Sequence, residues 1–160
     1  MEEKIFIRPY EIGDEIEISA VVAYTLKISN QKDYSSEYIE ETIKEHSPAF
    51  FLSREKEAHF YVVCGRRKII GCGGITGYWG SITESYPLSI FVLPEYQVRG
   101  LGKKIIETLE SDYYLKRARR TEVGSSPTAV GFYKKWDIRS KMERPSQMSL
   151  ELSVWKKDIR

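Results

Sequence analysis

The sequence predicts a single α/β (α+β) domain in which helices flank a mixed, mostly antiparallel central sheet. The chain has 160 residues, 41% of them hydrophobic, which is enough for one core. Segments with strand and helix periodicity alternate along it, and strands outnumber helices. No Pro-, Ser- or Gly-rich linker and no internal repeat divides it. We therefore expect one domain over residues 1–160.

The N-terminal third predicts one strand and two helices. Residues 4–8 have a strand pattern. A helix is expected next, because Asp14 and Glu17 have the spacing of a capping pair. Its buried face would carry four apolar residues at helical spacing: Ile18, Val21, Val22 and Ile28. A second helix is expected over residues 35–45, ended by the Ser-Pro pair that follows.

The middle of the chain predicts three strands. Residues 60–64 and 69–75 are β-branched or aromatic runs on either side of a turn-like Gly-Arg-Arg-Lys segment, and residues 88–93 form another such run. The hairpin would bring Cys64 and Cys72 near each other. A secreted disulfide scaffold would carry more cysteines in a shorter chain, so we expect two small buried thiols.

The last third predicts a long helix and then a mixture of strands and a helix. The helix would span residues 100–115, with Leu101, Ile105, Leu109 and Tyr113 on one face. A strand near 121–123, a helix near 129–136 and two strands near 138–142 and 148–155 would complete the chain.

Charge is distributed unevenly although the formal net charge is only +2. Residues 1–46 hold five basic and eleven acidic residues, and residues 99–141 hold eleven basic and five acidic ones. Two solvated faces of different charge explain this pattern, and so does an anionic ligand that binds the second half. Lys116, Arg117, Arg119 and Arg120 form a basic run that fits either reading.

Several classes of protein are disfavoured by the composition. The N-terminus lacks the basic start and apolar stretch of a signal peptide, and no apolar run approaches the ~20 residues of a membrane-spanning helix. We therefore expect a cytoplasmic location and no membrane partner. His46 and His59 have no second His or Cys at ligand spacing, so no metal is expected.

The strongest chemical pattern is VLPEYQVRGLGKK at residues 92–104. Gly100 and Gly102 allow a tight turn between a strand and a helix, whose first backbone N–H groups suit a phosphate or pyrophosphate. Arg99, Lys103 and Lys104 add positive charge. An ordinary strand-to-helix turn is the alternative. A P-loop and a dinucleotide fingerprint are both excluded because the required glycines are missing.

Two motifs resemble the GNAT superfamily of N-acetyltransferases. The run from Val92 to Gly102 resembles its acetyl-CoA loop, Gln/Arg-x-x-Gly-x-Gly/Ala after a strand that ends near a proline. The run from Ser126 to Ile138 resembles its helix Asn-x-x-Ala-x-x-Phe/Leu-Tyr-x-x-x-Gly-Phe. Ser126 and Asp137 depart from that pattern, where asparagine and glycine are commonest. The order of elements is similar over essentially the whole chain.

The resemblance implies an acetyltransferase that uses acetyl-CoA as cosubstrate, without a metal, and in which a primary amine attacks the thioester directly. The backbone N–H of Val92 would polarise the thioester carbonyl, and Tyr133 would protonate the departing sulfur. Glu84 would draw a proton from the amine, although a solvated loop glutamate explains it equally well. The residues implied to bind the cofactor are Phe91, Val92, Gln97, Val98, Arg99, Gly100, Leu101, Gly102, Lys103 and Ser126.

Two other functions stay open at this point. A degenerate acetyl-CoA sensor would bind the cofactor and acetylate nothing. A nucleic-acid-binding module would use the basic second half, but the small net charge and the missing aromatic-basic RNA motifs disfavour it, so no nucleic acid is expected. The acceptor is expected to be a small-molecule or peptide amine whose identity the sequence does not give, and it also leaves a homodimer undecided.

Overall fold

The computed structural model describes residues 4–77, 84–118, 120–125, 139–141 and 153–158, and the side chains among them of residues 4–77 and 85–118. These residues form a mixed α/β fold, as the sequence predicts. The strands are β1 (Phe6–Pro9), β2 (Ala58–Gly65), β3 (Lys68–Gly77), β4 (Glu84–Val92), β5 (Arg120–Ser125), β6 (Arg139–Lys141) and β7 (Ser153–Asp158). The helices are α1 (Glu15–Ser29), α2 (Ser36–Glu45), α3 (Pro48–Arg54), α4 (Leu101–Glu110) and α5 (Tyr113–Lys116).

The seven strands lie in one sheet in the order β1-β2-β3-β4-β5-β7-β6. Neighbouring strands are antiparallel except β4 and β5, which run parallel. The mixed, mostly antiparallel sheet expected from the sequence is therefore confirmed. The helix expected near 129–136 lies outside the described residues.

The β2–β3 hairpin turns through Arg66 and Arg67, between the paired residues Gly65 and Lys68. Both arginines have positive φ, 49° and 62°, as a two-residue type I′ turn requires. This turn fixes the register of the hairpin and so the positions of the strands beside it.

Glycines in β3 allow close packing on the sheet. A Cβ added at Gly73 would lie 2.5 Å from Cγ2 of Ile105 in α4, and one at Gly74 would lie 2.6 Å from Cδ1 of Phe60. Side chains at these two positions would therefore force the helix or the aromatic ring away from the strand. Absence of a Cβ lets α4 pack directly against the strand next to β4.

The core contains residues from every described helix and from the first strands of the sheet. Its largest fully buried side chains are Phe51, Ile18, Ile70, Ile75, Ile105, Ile106, Leu109, Val22, Val62 and Val63. Cys64 and Cys72 are free and buried, as predicted. Burial raises the pKa of Cys72 to about 12, so that its thiol stays protonated and acts as a small apolar group.

Asp14 is the N-cap residue of α1, as predicted, but the two carboxylates of the predicted capping pair bond elsewhere. The Asp14 side chain makes no cap hydrogen bond; its two oxygens accept from the Arg8 guanidinium at 2.8 and 3.0 Å, and one accepts from the Glu11 N–H at 2.8 Å. Glu17 accepts instead from the backbone N–H of Ile69 at 2.8 Å. The Asp14 carboxylate is therefore bonded to residues that precede α1, and the Glu17 carboxylate to a distant strand.

One helix prediction is confirmed and two need correction. The helix predicted over 35–45 is α2 and ends at Glu45, and Pro48 then begins α3, which the sequence pattern does not indicate. The helix expected over 100–115 is two helices, since Asp112 breaks it and caps α5 by accepting from the Tyr114 N–H. Tyr113 is therefore 68% exposed, and in α1 Ile28 is 48% exposed while Leu26 is buried in its place.

Among the described residues, none of the helices has the length and apolar character needed to cross a membrane.

Candidate functional site

The open edge of β4 is created by a short pairing with β5. The two strands pair at Glu84↔Arg120 and Ser85↔Thr121, and these are the pairs found between their described residues. β4 continues to Val92 along β3, while β5 continues to Ser125 along β7. No further strand pair joins β4 to β5 beyond Ser85 among the described residues, so this edge of β4 is open towards Val92.

The backbone N–H of Val92 points to this open edge. The N–H of Leu93, the next residue, donates to the carbonyl oxygen of Ile70 on the β3 side at 2.9 Å. Because successive N–H groups of a strand face opposite edges, the Val92 N–H faces away from β3. Its predicted role, to polarise a bound carbonyl group, stays a prediction.

A bulge interrupts β4 four residues after the last β4–β5 pair. Gly74 pairs with Leu88 and Cys72 with Phe91, so two residues of β4, Ser89 and Ile90, lie opposite one residue of β3. Ser89 has a φ of 52°, and its carbonyl accepts from the Cys72 thiol at 3.2 Å. Such bulges re-aim side chains and are frequent beside functional sites.

The Ser89 side chain of the bulge meets a histidine. His46, the C-cap residue of α2, has Nε2 3.2 Å from Ser89 Oγ and Nδ1 2.8 Å from the carbonyl oxygen of Thr42. Its ring also lies edge-on to the ring of Phe91, with centroids 5.7 Å apart. In the sequence His46 is an isolated histidine, because its partner on β4 is 43 residues away.

The loop between β4 and α4 has an unusual backbone. Val98 has a φ of 61° and Gly100 a φ of 77°. A β-branched residue in this region is a genuine outlier, and the Val98 side chain is fully exposed, so packing does not explain its conformation. Strain of this kind is often found where a backbone is shaped to bind a ligand.

The same loop presents backbone N–H groups. The hydrogen bonds of α4 begin with the Lys104 N–H, which donates to the Gly100 carbonyl at 3.2 Å. The N–H groups of Leu101, Gly102 and Lys103 therefore precede the helical ladder. Together with the turn before them they form an electropositive concavity suited to an anion.

Two cations lie over the ring of Tyr96, which comes just before this loop in the chain. The Arg99 guanidinium carbon lies 5.2 Å from the centre of the Tyr96 ring, and Lys68 Nζ lies 5.6 Å from the same centre. Lys103 is largely exposed, 4.0 Å from Glu107. Lys68, at the start of β3, was not singled out from the sequence, because only the folded sheet brings it beside Tyr96.

The Gln97 side chain holds the loop against its surroundings. Nε2 donates to the Val92 carbonyl at 2.9 Å and to Ser29 Oγ at the end of α1 at 3.0 Å. Gln97 was predicted to bind the cofactor. Its amide nitrogen donates both hydrogens to groups of the protein, so the side chain is positioned to support the loop.

The remaining predicted residues fall into three groups. Phe91 lies on β4 beside His46, one residue before Val92. Glu84 is the first residue of β4, about 25 Å along the strand from Val92. Ser126 and Tyr133 lie outside the described residues, so their roles stay predictions. The structure thus brings the loop and the end of β4 together and places Glu84 at the other end of the strand.

The potential metal ligands in the part of the chain that the structure describes are not grouped as a metal site. No three of its His, Cys, Asp and Glu side chains are grouped closely enough to hold an ion.

Solved structures with the same fold include several acetyltransferases. The PaiA N-acetyltransferase of Thermoplasma acidophilum, solved with coenzyme A, is 21% identical, with a TM-score of 0.78 over 98% of this chain and 99% of that one. A GCN5-related N-acetyltransferase of Rhodopseudomonas palustris is 20% identical, with a TM-score of 0.79 over 99% of both chains. At these identities the similarity concerns the fold.

A GNAT-family acetyltransferase of Staphylococcus aureus also matches, at 13% identity and a TM-score of 0.76, over 98% of this chain and all of that one. Comparison with curated proteins finds no match. The family model of the acetyltransferase (GNAT) domain matches residues 56–137, half of the chain, and covers β4, the loop and α4. The protein therefore belongs to the GNAT family of acetyltransferases, and acetyl transfer is the general activity of its fold.

Proposed function

We propose that this protein transfers the acetyl group of acetyl-CoA to a primary amine by direct attack of the amine nitrogen. The observation that carries the proposal is the loop at Val98–Gly100, which holds a strained backbone at the N-terminus of α4. The Thermoplasma relative was solved with coenzyme A, which supports the same ligand for this chain.

The charge of the described loop supports coenzyme A as the ligand. Its pyrophosphate would receive the backbone N–H groups ahead of the α4 ladder, with Arg99 and Lys103 supplying nearby positive charge. Acetyl-CoA supplies an activated thioester, whose carbonyl would be polarised by the Val92 N–H at the open edge of β4. These groups bind and orient, and none of them needs to form a covalent bond with the acetyl group.

Two proton transfers accompany the reaction. The acceptor ammonium must lose a proton before its nitrogen can attack, and Glu84 is the base that the family resemblance implies. The departing sulfur must gain a proton, and Tyr133 is the implied acid, because an ordinary phenol is protonated at neutral pH.

Two measurements test the proposal. Coenzyme A at ~100 times its dissociation constant is expected to add about 2.7 kcal/mol to the free energy of unfolding, and equal concentrations of ATP or NAD are expected to add much less. Gly102→Val is expected to abolish the coenzyme A effect by placing a side chain where the pyrophosphate passes. Equal stabilisation by all three ligands would contradict the cofactor assignment.

The second measurement is release of free thiol from acetyl-CoA with a panel of polyamines, aminoglycosides, amino acids and peptides. Thiol release that depends on an amine, with the N-acetylated product found by mass spectrometry, is the expected result. A protein that binds coenzyme A and acetylates no amine in the panel would be a sensor, and the proposed reaction would be wrong.

A further inference from the structure

The tautomer of His46 is fixed by its two hydrogen bonds. A carbonyl oxygen only accepts, so Nδ1, 2.8 Å from the Thr42 carbonyl, must carry a hydrogen. In the neutral ring Nε2 then has a free lone pair, and at 3.2 Å it accepts from the hydroxyl of Ser89. The serine hydroxyl is thereby oriented as a donor to a base, as in an activated serine–histidine pair.

The surroundings of His46 keep its ring neutral. Phe50 and Phe51 of α3 and Phe91 of β4 pack around it. Burial lowers the pKa of His46 below its ordinary value of 6.5, while the hydrogen bond to Thr42 and the charge of Glu45 on α2 act in the opposite direction. A neutral imidazole with a free lone pair on Nε2 can accept a proton near pH 7.

Ser89 lies where such a proton acceptor is needed. It belongs to the bulge on the open part of β4, three residues or about 10 Å along the strand from Val92. Glu84 is more than twice as far along the strand. An amine held at the thioester lies between Val92 and Ser89 along this edge, so its proton can pass to the Ser89 hydroxyl through a bridging water.

We propose that Ser89 and His46 form the proton relay that deprotonates the acceptor amine, an inference that rests on the proposed function. One N–H bond of the ammonium breaks as its proton passes to a bridging water, which gives up one of its own protons so that an O–H bond forms on Ser89. At the same time the original O–H bond of Ser89 breaks and an N–H bond forms on Nε2 of His46. The amine is left neutral with a free lone pair, and the positive charge passes to the imidazolium, which later returns its proton to solvent.

Two variants remove the relay in different ways. Ser89→Gly deletes the hydroxyl, and because glycine readily adopts a φ of 52°, the fold is expected to be at least as stable. His46→Gln keeps a polar group at the end of α2 but no basic nitrogen. His59→Gln is the matched control, because His59 is bonded to Asp112 and stacks on Tyr114, away from β4. Glu84→Gln tests the competing base.

Steady-state kinetics from pH 6 to 10 with the amine found in the panel, together with calorimetric binding of coenzyme A, test the relay. Ser89→Gly and His46→Gln are expected to lower kcat about 100-fold near pH 7. The loss should shrink as the pH approaches the pKa of the acceptor, because the amine then needs no base. Coenzyme A affinity should stay within threefold of the wild type in both variants, and His59→Gln should retain full turnover.

A spectroscopic measurement supplements the kinetics. The nitrogen chemical shifts of His46 in the free protein should show a protonated Nδ1 and an unprotonated Nε2, and the Nε2 shift should move in Ser89→Gly. The opposite tautomer, or an Nε2 shift that Ser89→Gly leaves unchanged, would overturn the relay without any assay of turnover.

The kinetic outcomes separate this inference from the proposed function. A wild type that acetylates no amine overturns the proposed function and the relay with it. An active wild type whose Ser89→Gly and His46→Gln variants keep kcat within threefold overturns the relay alone. Loss of kcat in Glu84→Gln with no loss in the other two variants assigns the base to Glu84 and also overturns the relay.

Discussion

Gln97 Nε2 lies 2.9 Å from the carbonyl oxygen of Val92, so the loop before α4 is tied back to the strand that precedes it. The same nitrogen also donates to Ser29 on α1. The residue at the end of β4, whose N–H faces the open edge, is thus joined through its carbonyl to the loop that presents backbone donors. Two parts of the site are held in register by one side chain.

Removing this link is expected to weaken coenzyme A binding. Gln97→Leu deletes both hydrogen bonds and lets the loop leave the geometry that the ligand needs, so the dissociation constant should rise about tenfold, or about 1.4 kcal/mol. Isothermal titration calorimetry measures it. Ser29→Ala is the control, because it removes only the contact with α1 and should leave the affinity within threefold. Equal affinities of Gln97→Leu and the wild type would contradict the supporting role.

Val98 and Gly100 are expected to respond in opposite ways to substitution. Val98→Gly relieves the strain of a β-branched residue at a φ of 61°. Part of this gain is offset because glycine raises the conformational entropy of the unfolded chain, so the net stabilisation of the fold should be about 0.5–1 kcal/mol. Gly100→Ala places a Cβ that meets nothing within 4 Å, so its cost, about 1 kcal/mol, comes from the φ of 77° alone. Thermal melts would show a higher Tm for the first and a lower Tm for the second. A lower Tm for Val98→Gly would show that the loop is not strained.

The Arg8–Asp14 pair is expected to make stability depend on acid pH. The Arg8 guanidinium, chiefly by hydrogen bonding, holds the pKa of Asp14 below its ordinary value. A lowered carboxyl pKa contributes stability above the unfolded-state pKa of ~3.9 and loses it as the pH falls through the folded-state pKa. Asp14→Asn should therefore reduce the free energy of unfolding by about 1–2 kcal/mol at pH 7 and by much less at pH 2–3. Urea titrations at both pH values measure this, with the exposed Glu41→Gln of α2 as control. A loss independent of pH would exclude the ion pair as its cause.

Tyr133→Phe tests the acid that the family resemblance implies. The change removes only a hydroxyl, so the melting curve should be nearly unchanged and coenzyme A affinity should be retained. Loss of the proton donor should lower kcat by roughly 10²–10⁴-fold. Turnover within about threefold of the wild type, with chemistry limiting the rate, would remove Tyr133 from the mechanism.

Local spacing was sufficient for most of the fold. The apolar period placed Leu101, Ile105 and Leu109 on the buried face of α4, and all three are buried. It failed at Asp112, because periodicity does not show that a carboxylate will be held by distant residues. His59 and Tyr61 of β2 both bond Asp112, from more than 50 positions away in the sequence, and the helix breaks there.

The candidate site likewise has parts that the local sequence predicts and parts that it does not. The glycine loop was predicted because its chemistry lies in consecutive residues. The left-handed backbone of Val98 was not predicted, because a β-branched residue such as valine favours a negative φ. The His46–Ser89 pair could not be predicted either, because the two residues meet only when the folded sheet brings α2 beside the bulge. Pro87, which cannot donate to a strand neighbour and follows the last β4–β5 pair by two residues, is the sequence feature that would have indicated the open edge.

The short pairing of β4 with β5 also has a mechanical consequence. In the described residues two backbone pairs join the half of the sheet that contains β1 to the half that contains β7. A force applied across the strands from β1 to β7 would break the hydrogen bonds of these pairs one after the other. Among the described pairings this one has the fewest residue pairs, so it is expected to separate first under tension, and a ligand that contacts both strands would hold them together.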